Sequence, residues 1–176
     1  SGLSILFGFP APILLALFLN EIRINWFKRS IQTITYMPYF ISIVVVCSLI
    51  RTYVQYDGLI SQMVVAFGGK AQNFLVSSKY FYPIYIISDI WKGIGWNSII
   101  YLAALSSIDQ QQYEAARIDG AGRFQQMIHI TLPGILATIV MLFILRMGSI
   151  LSVGHEKILL LYNEGIYNVA DVLSTY

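Results

Sequence analysis

The chain of 176 residues is 57% hydrophobic and 11% charged, with a formal net charge of +2 and a mean hydropathy of +0.68. That leaves too little charge to coat a water-soluble domain of this length, so the chain belongs in lipid. The few charges are scattered and show neither a nucleic-acid footprint nor a polybasic lipid-binding patch, and the single cysteine, Cys47, excludes an intrachain disulfide and a multi-cysteine metal site.

A helix needs about 20 apolar residues to cross a hydrocarbon core about 30 Å thick. Four windows come close: residues 2–19, 34–50, 81–105 and 135–153. Helices are expected for all of them, because backbone groups in lipid must be satisfied within the segment. There is no alternating pattern of the kind a membrane barrel requires and no internal repeat. The fold class is therefore all-α, a polytopic transmembrane helical bundle in one domain over residues 1–176.

The first window has no basic residues ahead of it and no small-residue cleavage site, which makes it a true span rather than a signal peptide. Pro10 and Pro12 lie midway along it and predict a kink, either structural or a gating hinge. A short polar link with Arg23, Lys28 and Arg29 leads to the second window. The longer link 51–80 follows. Its segment 58–67 is weakly amphipathic and suits the membrane surface, and Gly68-Gly69 is a turn signal. Five Lys and Arg (Arg23, Lys28, Arg29, Arg117, Arg123) fall in the first and third links, against four (Arg51, Lys70, Lys79, Lys157) in the second link and the tail. That margin leans towards a cytoplasmic placement of the first and third links.

The third window carries Asp89 and Lys92, three residues apart and able to pair on one helical face. Arg146 lies in the fourth window, where it can pair with Asp89, contact a partner subunit or face a translocation path. Between these windows, residues 107–134 read as helix, turn and helix. Asp109 with Gln112 forms a capping box, Gly120 and Gly122 can end the first helix, residues 123–131 resume a helix, and Pro133 sits where the next span begins. Small residues (Ala115, Ala116, Gly120, Ala121, Gly122) let another backbone approach, with Tyr113, Arg117, Phe124 and Met127 as larger anchors.

Glu114-Ala115-Ala116, three residues, Gly120, nine residues, Ile130, one residue and Leu132-Pro133 reproduce without a departure the loop motif of permease subunits of binding-protein-dependent ABC importers. The chain thus resembles that family, of the type I permease kind. The resemblance implies that the loop is a cytoplasmic coupling helix docking on a separate ATPase, with Glu114 and Gly120 most tied to docking. It further implies a second permease subunit, two ATPase subunits that bind ATP and Mg, an extracytoplasmic solute-binding protein and a multi-pass place in a bacterial inner membrane. On that view the chain needs no cofactor and is not an enzyme. Residues 37–42, 88–97 and 154–163 resemble the carbohydrate-uptake branch, closest to the subgroup for oligosaccharides of complex plant or algal polysaccharides. Members of that branch carry a span before the first window and one after the fourth, so the chain is expected to be incomplete at both ends.

Trp91, Trp96, Asn97 and Arg146 are candidates for a sugar path, since aromatic faces stack on sugar rings, amides bond hydroxyls and arginine suits uronate carboxylates. Gly93 and Gly95 are read as helix-packing positions. His129 and His155 lack a third ligand for a metal site. Glu156, Asn163 and Glu164 are either solvated or a contact for the binding protein. A non-sugar importer is the alternative within transport. A membrane-embedded enzyme would need a catalytic cluster in the spans, and the sequence offers none.

Overall fold

A computed structural model describes residues 2–70, 73–74 and 78–148. Among the described residues every regular element is helical. In chain order these are α1 (Gly2–Gly8), α2 (Pro10–Glu21), α3 (Asn25–Tyr36), a 3₁₀ turn (Met37–Phe40), α4 (Ile43–Val54), α5 (Leu59–Ala66), α6 (Ser78–Ser106), α7 (Gln110–Ile118), α8 (Arg123–Gln126), a π turn (Met127–Thr131), α9 (Leu132–Gly134) and α10 (Leu136–Gly148).

The 29-residue α6 is the central column, and α1, α2, α3, the 3₁₀ turn and α10 all pack on it. Two apolar clusters mark its ends. Phe81 joins Cys47, Val54 and Phe74 in one. Leu105 joins Ala16, Tyr101, Ile108 and Ile135 in the other. Phe81 and Leu105 are 24 residues apart on one helix, which at a rise of about 1.5 Å per residue separates the clusters by about 36 Å. Large apolar side chains such as Leu14, Phe18, Ile87 and Ile144 are exposed along the outer faces, as lipid-facing residues are.

The expected windows and the helices differ in instructive ways. The first is α1 and α2 in series, interrupted at Phe9, because neither Pro10 nor Pro12 has an N–H to give the preceding turn. Together, Gly2–Glu21 are long and apolar enough to cross a membrane. The second window, 34–50, is not one helix. It straddles the end of α3, the 3₁₀ turn containing Pro38, and an extended pair, Ile41 at φ −75°, ψ 133° and Ser42 at φ −55°, ψ 142°. The stretch long and apolar enough on this side is Ile43–Ala66, which takes in α5 from the link. The third window is α6, extended at its N-terminal end. It is amply long, yet it is absent from the helices that pass on apolar character, since Ser88, Asp89, Lys92 and Asn97 dilute it. The fourth is entered through a 57° bend between Arg123–Gly134 and Leu136–Gly148, and its residues beyond 148 lie outside the described ones.

Candidate functional site: a capped knob and a polar cavity

Residues 107–134 fold as a knob at the C-terminal foot of α6. Asp109 caps α7 by accepting from the N–H of Gln111 at 2.9 Å. The expected reciprocal partner, Gln112, instead donates its backbone N–H to the Asp109 carbonyl, so the cap is one-sided. At the other end the N–H of Ala121 reaches the carbonyl of Ala116 (2.8 Å) and that of Gly120 reaches Arg117 (3.1 Å). This crossed pair is the Schellman closure, and it places Gly120 at φ +78°. A Cβ there would meet nothing within 4 Å, so glycine is needed for its backbone angle rather than for space. Gln125 then starts α8 by accepting from the N–H of Gly122 at 2.9 Å.

The second half of the knob is wound more loosely. Pro133 has no N–H and its ring crowds the carbonyl four residues back. Leu132 accordingly donates to Met127, five residues back, and a π turn results. Thr131, 2% exposed, ties the halves together by a 2.9 Å bond to the Tyr113 hydroxyl. Gln126, 9% exposed, donates its side-chain amide to the Ala121 carbonyl at 2.7 Å. The knob's inner side meets the lower apolar cluster through Tyr113 and Ile130, and a Cβ on Gly134 would press on Ile108 at 2.8 Å.

The motif residues therefore divide by environment. Glu114, Ala115 and Gly120 are exposed, Ala116 is half-buried, Ile130 is an internal packing residue, and Leu132 and Pro133 are exposed on the helix that leads into the bend. Of the anchors expected from sequence, Phe124 is exposed at 68%, whereas Tyr113 is turned inward to Thr131. Ile118, 87% exposed at the last turn of α7, is the most exposed of the knob's large apolar groups. Sequence reasoning missed it. The available signal was an isoleucine in a helix whose other members are mostly polar.

The second feature is a cavity of about 280 Å³ midway along α6. Asp89, Gly93 and Asn97 line it from α6, Arg146 from α10, and Gly8 and Pro12 from the interrupted first span. Asp89 and Arg146 are each engaged in polar or electrostatic interactions. Asp89 and Arg146 thus line one cavity, and Lys92 lies outside its lining. Two of the four expected path residues, Asn97 and Arg146, meet here. The two tryptophans do not. Trp91 is 47% exposed elsewhere on α6, and Trp96 stacks on Tyr39 with ring centroids 4.6 Å apart and 7° between planes, with Phe40 edge-on at 5.6 Å. Gly95 explains that contact. It sits against the carbonyl of Thr35 with no room for a Cβ, which brings the end of α3 and its 3₁₀ turn onto α6. Among the described residues no three His, Cys, Asp or Glu side chains gather as a metal site. His155, Glu156, Asn163, Glu164 and the segment 154–163 lie outside the described residues.

The family model described as "Binding-protein-dependent transport system inner membrane component" matches residues 8–153. A polygalacturonan/rhamnogalacturonan transport system permease protein of Bacillus subtilis is 49% identical over 99% of the chain, which covers 55% of that protein. A solved bacterial ABC transporter involved in the import of the acidic polysaccharide alginate has a chain 49% identical to this one, superposing with a TM-score of 0.97 over 100% of this chain and 62% of that one. The same fit is found to a bacterial alginate ABC transporter solved in complex with an alginate pentasaccharide-bound periplasmic protein. The chain thus spans little more than half the length of the curated relative.

Proposed function

The chain belongs to the family of binding-protein-dependent transport system inner membrane components, and on that premise we propose that it is a permease subunit of an ATP-driven importer of acidic oligosaccharides. The observation that carries this reading is the knob: an exposed nine-residue helix, α7, closed by a left-handed Gly120 and presenting Glu114, Ala115 and Ile118 outward, followed by the exposed Phe124 of α8. Apolar groups as exposed as Ile118 and Phe124, interleaved with Glu114, Arg117 and Asp119, suit a protein groove better than a lipid surface.

In this reading the knob docks on a separate ATPase subunit. Two such ATPases close around ATP and Mg, the docked knobs follow, and the spans rock between inward-open and outward-open states. A second permease subunit completes the pore, and an extracytoplasmic binding protein delivers the solute. The chain itself hydrolyses nothing and needs no cofactor. Trp91, Trp96, Asn97 and Arg146 are assigned to the solute path, with Asn97 and Arg146 on the cavity, Trp96 beside it against Tyr39, and Trp91 on another face of α6. Arginine offers a planar pair of donors to a uronate carboxylate, and polygalacturonan and alginate, which the names of its relatives give, are both polyuronates.

The experiment is co-purification of the full-length subunit with candidate ATPases, wild type against Gly120→Val. Valine at a left-handed position costs about 1–2 kcal/mol and opens the Schellman closure. ATPase recovered with the wild type and lost with the variant supports the reading. Absence of any ATPase with the wild type, or equal recovery with both, overturns it.

A further inference from the structure

The cavity takes its polar character from one stripe of α6 and one residue of α10. Asp89, Gly93, Asn97 and Tyr101 follow one another at intervals of four, which puts them on one helical face, and all four line the cavity. Arg146 lines it from α10. Gly93 is the bare step of the stripe: a Cβ there would meet only the Asn97 amide, at 3.2 Å, so the space between carboxylate and amide is left open. At about 280 Å³ the cavity is just below the range of about 300–1,000 Å³ usual for ligand sites, so it takes one sugar unit of a chain rather than the whole chain.

Two opposite charges share this space. Asp89 falls in the middle third of the 29-residue α6, a depth at which charge is costly and is kept only where it faces a cavity or a partner. Asp89 and Arg146 are each already engaged in polar or electrostatic interactions, and both act on Tyr85, one turn before Asp89. Asp89 is half-buried, whereas Asn97 and Arg146 are exposed, so the amide and the guanidinium are the accessible groups and the carboxylate is the sheltered one. An arginine with no anion beside it would hold a uronate firmly through a bidentate, charge-assisted pair. A path has to bind strongly enough to admit its solute and weakly enough to release it. A fixed carboxylate beside the arginine supplies the second condition, because it repels the solute's carboxylate and neutralises the arginine again once that carboxylate leaves.

We propose that Asp89 is a specificity residue of the solute path, an exchangeable counter-anion that yields Arg146 to one uronate carboxylate of the solute and takes the arginine back as that unit moves on. This rests on the reading of the chain as a permease for acidic oligosaccharides. Asn97 bonds hydroxyls of the same unit across the opening at Gly93. The arginine is compensated at every stage, and the surplus negative charge present while a uronate is bound is what drives release.

The test uses the full-length subunit with its partner permease, ATPases and binding protein in proteoliposomes, and a radiolabelled oligogalacturonate as the probe. Two quantities are read: uptake at saturating loaded binding protein, and solute retained by the complex after detergent extraction. Asp89→Asn is expected to lower uptake about tenfold and raise retention about tenfold, since attraction to Arg146 stays while repulsion goes. Asp89→Glu keeps the charge and is expected to stay within about twofold of the wild type in both. Adding Arg146→Gln to Asp89→Asn is expected to remove the extra retention and to lower uptake about tenfold. The double variant leaves no charge uncompensated, so it is expected to assemble even where the lone arginine prevents assembly. Wild-type uptake and retention in Asp89→Asn, loss of uptake there with no gain in retention, or wild-type uptake in the double variant overturns the proposal. If the wild type itself takes up no oligogalacturonate, the acidic-solute reading fails and the proposal falls with it; with wild-type uptake in hand, the variants judge Asp89 alone.

Discussion

The foot of α6 and its middle are built by different means. At the foot, the knob is held by bonds between residues close in sequence: Asp109 to Gln111, Ala121 to Ala116, Gly122 to Gln125, Gln126 to Ala121. At the middle, shape comes from contacts between distant segments: Gly95 against the Thr35 carbonyl, Trp96 on Tyr39, Asp89 and Arg146 on one cavity. The first kind of structure keeps its form wherever it is attached. The second exists only while its neighbours are in place, which, on the function proposed above, suits a region that changes shape as a solute passes.

The contrast can be broken most sharply at Gly95. A methyl group there collides with the backbone of Thr35, which cannot swing aside as a side chain would. Overpacking of this kind costs about 1–3 kcal/mol. Gly95→Ala should therefore lower the thermal midpoint of the detergent-purified protein clearly, whereas at Gly93 a Cβ meets only the Asn97 amide, at 3.2 Å. Gly93→Ala should be nearly silent in the melt. Equal melts for the two variants would mean that the α3–α6 crossing does not hold the middle together.

That division also explains what was legible beforehand. Asp109, Gly120 and Pro133 act on the residues next to them, and each ended, opened or widened a helix close to where the sequence placed the event. The four path residues were gathered by type alone. Helical geometry separates only Trp91, which falls on another side of α6 from the cavity-lining Gly93 and Asn97; Trp96, three residues on from Gly93 and near the same face, stacks on Tyr39 instead of lining the cavity. The break at Ile41–Ser42 was hidden because apolar residues continue through it, and hydropathy does not register a change from helical to extended backbone. Tyr113 was expected as an outward anchor because it shares the knob with the small residues that would let another backbone approach. Its hydroxyl partner is 18 residues away, beyond the reach of local pattern.

At the foot, the requirement at Gly120 is for a positive φ and not for space. Asparagine enters the left-handed region more readily than other residues with a side chain. Gly120→Asn should thus keep most of the ATPase association that Gly120→Val loses, a difference of about tenfold if the strain of about 1–2 kcal/mol is the cause. Equal loss in both variants would show that the surface at Gly120 needs to be bare, and that docking there reads the backbone directly.

The mildest change reaches the seam between the two halves of the knob. Tyr113→Phe removes the hydroxyl that bonds Thr131 and leaves the ring packed on the lower cluster. Thr131 Oγ1 keeps its other contact, donation to the Gln126 carbonyl at 3.3 Å, so no buried donor is stranded. The cost should stay near that of one neutral hydrogen bond, about 1 kcal/mol. Global stability should hardly move, while amide exchange at Gln111 to Asp119 should quicken by about fivefold, because local opening of α7 no longer has to break its tie to the π turn. If exchange in α7 is unchanged, the helix is held by its caps and by Ile130 alone. The knob would then be two pieces in contact rather than one body. That would weaken the case for a rigid displacement passing through it, even with the ATPase bound.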